Sequence, residues 1–99
     1  MPTYISLDDA KKQLNVEHDE DNEFILELID VAEDYLSGLL HRPLVSVEES
    51  SGELPHSLRH AIKMIVSRFY ADREGYRSGR VTEMPFSLGS LIGRYQLVR

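Results

Sequence analysis

The chain has 99 residues, 41% of them apolar and 28% charged, and a formal net charge of −6. This length predicts one small domain, 1–99, with a single modest core. The lack of cysteine excludes disulfides, zinc–thiolate sites and cysteine nucleophiles, and no run nears the roughly 20 apolar residues that span a bilayer.

The opening MPTYISLDDAKK lacks the basic-then-apolar layout of a secretory signal, which predicts an intracellular, reducing location. Ser6-Leu7-Asp8-Asp9 reads as a helix start. Ser6 is a good N-cap, Asp8 and Asp9 suit the positive end of the helix dipole, and Ile5 precedes the cap as a staple for Ala10. This first helix is predicted over Leu7 to Leu14, with Leu7, Ala10 and Leu14 inward.

Residues 17–23, EHDEDNE, form an acidic loop. It lacks the alternating oxygen ligands, central Gly and closing Glu of a calcium loop. Asp19 or Asp21 is expected instead to cap the following helix. That second helix is predicted over 22–40. Ile25, Leu28, Ile29, Ala32, Tyr35, Leu36 and Leu39 make its apolar stripe, and Glu23, Glu27, Asp30, Glu33 and Asp34 lie outside. Gly38 lies near its end, and Arg42-Pro43 stops it. In the 43–53 linker, Leu44, Val45 and Val47 suggest a brief strand and Ser50-Ser51-Gly52 a turn.

Leu54 to Arg73 is the most apolar long segment. Pro55 suits a first helical turn, and Leu58, Ala61, Ile62, Ile65, Val66 and Phe69 recur with helical period, so a helix is predicted over 55–73. Residues 74–84, EGYRSGRVTEM, carry two glycines and no apolar period and read as a mobile basic loop with Arg77 and Arg80. Phe86, Leu88, Leu91, Ile92 and Tyr95 mark a short C-terminal helix, weakened by Gly89 and Gly93, which docks on the core or on a neighbour. The predicted class is all-α: a small bundle of two long helices, 22–40 and 55–73, with a short helix at each end.

Charge is unevenly placed. Residues 1–40 hold 11 acidic and 2 basic residues, a balance of −9; residues 41–99 hold 6 acidic and 9 basic, a balance of +3. These are either two solvated faces of opposite sign, or surfaces through which the acidic half of one copy meets the basic half of another. The latter contact is heterologous and closes into a ring when the rotation permits. Overall acidity argues against a stand-alone duplex DNA binder.

Catalytic constellations are missing. His56 and His60 have a metal-compatible spacing but no adjacent Glu and no third ligand on that face, and read as polar first-turn residues. His41 suits the negative end of a helix. No phosphate-cradling Gly loop, nucleophile elbow or dinucleotide fingerprint occurs. The expectation is a non-enzyme with no catalytic residue, cofactor or metal.

Three stretches carry a family resemblance. YISLDDAKKQLNVEHDEDNEFILELIDVAEDYLSGLLHRPL resembles the opening of the tailed-bacteriophage head–tail connector (adaptor) family, also described as possible DNA-packaging proteins. LPHSLRHAIKMIVSRFYADRE is similar to the family's second long helix, and MPFSLGSLIGRYQ to its closing segment. Departures are a short 43–54 linker and Gly93, where many relatives carry Pro before the tail Tyr. The resemblance implies a structural subunit of a homo-oligomeric ring beneath the portal protein. Such a ring extends the DNA channel and meets tail-completion proteins at the virion's head–tail junction, after assembly in the bacterial host cytoplasm. On that reading Arg73, Arg77 and Arg80 face the channel for weak, sequence-independent contact with passing DNA. Glu27 and Glu33 contribute to the subunit contact. Phe86, Leu88, Leu91 and Tyr95 form a portal-docking tail over 85–99, and no membrane is involved. The rival readings are a small helical DNA-binding regulator, with His60, Lys63 and Arg68 outward, and a homodimeric interaction module. No short turn-linked helix pair precedes the 55–73 helix as a helix-turn-helix requires.

Overall fold

A computed structural model describes residues 4–73 and 86–96. Helix α1 spans Leu7–Leu14, α2 Asn22–Leu40, α3 His56–Ala71 and α4 Phe86–Ile92, with 3₁₀ turns at Leu44–Val47 and Gly93–Tyr95. The described residues contain no strand, so the chain is all-α as its periodicities predict.

Local chemistry sets the helix ends. Ser6 is extended and its Oγ accepts the Asp9 N–H at 3.1 Å, which satisfies one of the free donors at the start of α1. Asn15 ends that helix in the left-handed region, at φ 57°. The Asn15 and Val16 N–H groups turn back to the carbonyls of Lys12 and Lys11. His41 ends α2 in the same way, also at φ 57°, with the Arg42 N–H returning to the Ser37 carbonyl. Gly38 lies near the end of the helix, as expected, two residues before its last. Histidine tolerates this region better than most side-chain-bearing residues, and Pro43 forbids continuation.

Two linker expectations are corrected. Leu44–Val47 is a 3₁₀ turn, not a strand. Ser46 donates both its N–H and its hydroxyl to the Pro43 carbonyl, at 3.0 and 2.6 Å, and the Arg42 Nε–H donates to Ser46 Oγ at 2.8 Å. Local bonds thus take the groups that a ladder would need. Pro55 holds the N-cap position of α3, just outside the helix. Its carbonyl accepts the N–H groups of both Leu58 and Arg59 at 3.0 Å.

One core joins all these elements. Ile25, Leu28, Ile29, Ala32, Leu36 and Leu40 from α2 meet Leu58, Ala61, Ile62, Ile65, Val66 and Phe69 from α3. Ile5 and Ala10 close one flank, as the staple reading expects, and Leu44 and Leu54 plug the linker side. Leu40 is fully buried, whereas Tyr35 sits at the edge, 36% exposed, with its ring edge-to-face against Phe69 at 5.9 Å. A hydroxyl at the rim stays hydrated, so the phenol takes the border and the aliphatic chain the interior.

Helix α4 packs on α3 and brings Leu88 and Ile92 into the same core. A seven-residue helix containing Gly89 has little stability of its own, so this burial is what holds it. The 74–84 loop and Pro85 lie outside the described residues, as do the last three positions of the tail.

Candidate interaction surfaces

At one end of the bundle the start of α2 is tied to the end of α3. Asp21 holds the N-cap position of α2, but its side chain caps nothing. The carboxylate instead accepts the Tyr70 hydroxyl at 2.7 Å and the Arg73 guanidinium. The guanidinium carbon lies 4.5 Å from the Tyr70 ring centre and 5.0 Å from that of Phe24. The cation is therefore shared between a carboxylate and two π-faces. The Tyr70 hydroxyl and then Arg73 hold the Asp21 carboxyl below the usual carboxylate range. In return, Asp21 raises both the Tyr70 phenol and the Arg73 guanidinium. Arg73 thus anchors the chain where residue 74 begins, and Arg77 and Arg80 lie outside the described residues. Asp19 is engaged elsewhere, accepting Lys11 Nζ at 2.9 Å in an exposed pair of little energetic weight.

The two acids expected at a subunit contact occupy different environments. Glu27 is exposed on the outer face of α2. Glu33 is half-buried, and its Oε2 accepts the Tyr4 N–H at 2.7 Å. Burial pushes the Glu33 carboxyl above its ordinary value. The Tyr4 hydroxyl donates to Glu48, whose carboxylate pushes the Tyr4 phenol up to about 12. Glu33 is therefore a fastening inside the chain, stapling the segment before α1 to α2. A groove of about 540 Å³ runs beside it, with Tyr4, Asp34, Leu44 and the 65%-exposed Val45 in its walls.

The expected docking tail is divided. Leu88 is 3% exposed and belongs to the chain's own core, which corrects its assignment to an outside partner. Leu91 and Tyr95 are half-buried at the core's edge, and the side chain of Phe86 lies outside the described residues. Gln96 Nε2 donates to the Leu39 carbonyl at 2.9 Å, fastening the tail to the end of α2.

A further groove, of about 450 Å³, lies between α1 and α3 and is lined by Ile5, Asp9, His56, Arg59, His60 and Lys63. Arg59 Nη2 donates to His56 Nδ1 at 2.8 Å, which sets the guanidinium at the groove wall. His56 and His60 are drawn into this polar wall rather than into a metal site. Among the described residues no group of three or more His, Asp or Glu side chains is placed to hold a metal ion.

A family model described as phage gp6-like head-tail connector protein matches residues 4–96. The chain belongs to that connector family. No curated protein and no solved structure matches it. Family membership makes this connector chain a structural component of the virion's head–tail junction. Among its described residues no helix is long and apolar enough to cross a membrane. The resemblance of the two long helices and the closing segment to this family is thereby borne out. The Asp21–Phe24–Tyr70 seat of Arg73 was not read from the sequence, because only the packing of α2 on α3 brings positions 21 and 73 together. The basic stripe of the α1–α3 groove was not read from the sequence either, although the helical spacing of 56, 59, 60 and 63 was a signal for it.

Proposed function

We propose that this connector chain is one subunit of a homo-oligomeric ring beneath the portal protein. The ring lengthens the DNA channel and presents a platform to tail-completion proteins, and it forms in the bacterial host cytoplasm before it enters the virion. The observation that carries this reading is the connector-family match over residues 4–96. The charge distribution supports it, since acidic residues crowd the first 40 positions and basic residues the remainder.

Within that reading, the segment after Arg73 reaches the channel, and Arg77 and Arg80 meet passing phosphates without regard to base sequence. Arg73 serves as its fixed base, with its charge already engaged by Asp21. The portal contact draws on Leu91 and Tyr95, which keep part of their surface outside the core, and on Phe86.

Mass measurement of the purified chain across concentration tests the proposal. Ring-sized species, present from the start or formed as concentration rises, support it. A stable dimer that binds duplex DNA overturns it and favours a regulator. Replacing both Arg77 and Arg80 by Ala is expected to leave folding intact and to lower DNA retention in assembled particles; unchanged retention rejects the channel role of those two residues.

A further inference from the structure

Two helical stripes of opposite charge run along the outside of this bundle. On α2, Glu23, Glu27, Asp30 and Asp34 are all exposed and recur at i, i+4, i+7 and i+11, which places them on one face. They span about 16 Å at 1.5 Å per residue. On α3, His56, Arg59, His60 and Lys63 recur at i, i+3, i+4 and i+7 over about 10 Å. These four line the groove against α1, where Asp9 is the one carboxylate among two permanent cations and two imidazoles.

Arg59 Nε is buried and has no hydrogen-bond partner among the described residues, and Nη2 is held by His56. A guanidinium carries five donors, so Arg59 keeps capacity at its Nη atoms for a carboxylate from outside, whereas the covered Nε is out of reach. No hydrogen bond or ion pair among the described residues engages Lys63 either.

The groove contains no residue of α2. Helices α2 and α3 turn their apolar sides toward each other in the core; the acidic stripe lies on the side of α2 opposite its buried residues, and the basic stripe flanks the buried residues of α3 on the side of α1. Within one copy the groove meets Asp9 but none of the α2 acids. A two-fold contact that paired the stripes reciprocally would need both on one surface. Pairing the stripe of one copy with the groove of the next leaves a free groove and a free stripe at the ends, and so propagates head to tail.

We infer that the His56–Arg59–His60–Lys63 groove between α1 and α3 receives the Glu23–Glu27–Asp30–Asp34 ridge of a second copy of this chain. The inference rests on the ring reading above and names its contact. Glu33 is excluded from the ridge by its place beneath Tyr4. Charged groups here chiefly select the partner and its register, and like charges placed across the contact oppose it strongly.

Charge exchange between two variants tests the contact. One carries Asp30→Lys and Asp34→Lys; the other carries Arg59→Glu and Lys63→Glu. Circular dichroism first confirms that each is helical and melts cooperatively. Each variant alone is expected to self-associate about a hundredfold more weakly than the parent, since like charges then face each other. Mixed in equal amounts they should co-assemble, because each presents what the other's groove or ridge lacks, and the assembly should loosen as salt is added. Parent-like assembly by either variant alone overturns this contact while leaving the ring reading in place. So does a mixture that fails to co-assemble when the parent forms rings. A parent chain that stays monomeric at every concentration overturns both.

Discussion

Leu88→Ala should loosen the C-terminal segment without unfolding the rest of the chain. Among the described side chains of α4, Leu88 and Ile92 lie in the core, each 3% exposed, and α4 has only seven residues. The substitution removes three buried carbons, worth about 2–3 kcal/mol at roughly 0.8 kcal/mol per methylene. Because α4 is too short to persist undocked, that loss falls on the opening of 86–96, with α1, α2 and α3 retaining their shared core. At tenfold per 1.4 kcal/mol, amides of Ser90 to Gln96 should exchange about 30- to 150-fold faster. Amides in the middle of α2 and α3 should be little affected. Hydrogen exchange followed by mass spectrometry reads both regions in one sample. An acceleration below about threefold at 90–96 would refute the claim that burial of Leu88 holds this segment. Equal acceleration in α2 would refute its local character.

Two further predictions concern pH, and their signs are opposite. The Asp21 carboxyl is held down in the folded chain by Tyr70 and Arg73, so its stabilisation is present above the unfolded-state pKa and is lost as pH falls through the folded value. Asp21→Asn should therefore lower the urea midpoint at neutral pH and flatten the acid loss of stability below about pH 4; an acid limb as steep as the parent's would contradict the clamp. The Glu33 carboxyl is raised by burial, so the folded chain holds that proton more tightly than the unfolded one, and stability falls as pH rises between the two values. Glu33→Gln keeps an acceptor for the Tyr4 N–H and removes the ionisation. Relative to the parent, this variant should become more stable as pH rises above the unfolded-state value of about 4, and a difference that stays constant there would show that Glu33 is not desolvated.

Helix positions were legible in the sequence because their causes are local. Ser6 with Asp8 and Asp9, the apolar period of α2, and Pro55 ahead of α3 each act within a turn or two. The errors arise where a residue answers to something distant. Asp21 has a capping residue's composition and position, yet a phenol and a guanidinium some 50 positions later take its carboxylate. Glu33 looks solvated on the helical pattern, but the chain before α1 folds over it. Leu44, Val45 and Val47 have strand-forming side chains and no neighbouring strand, so Ser46 and Pro43 decide the backbone instead. Leu88 and Ile92 could have met either this core or a partner; periodicity marks a buried face but does not say whose surface buries it.

Arg73 is fixed by Asp21, and α4 is fixed to the core through α3. Both positions thus belong to one scaffold, which sets the two ends between which the sequence places positions 74–85. Closing a longer excursion costs little, about 0.6 kcal/mol for each doubling of length. An insertion between positions 73 and 86 is on this count cheap to join to its two fixed ends.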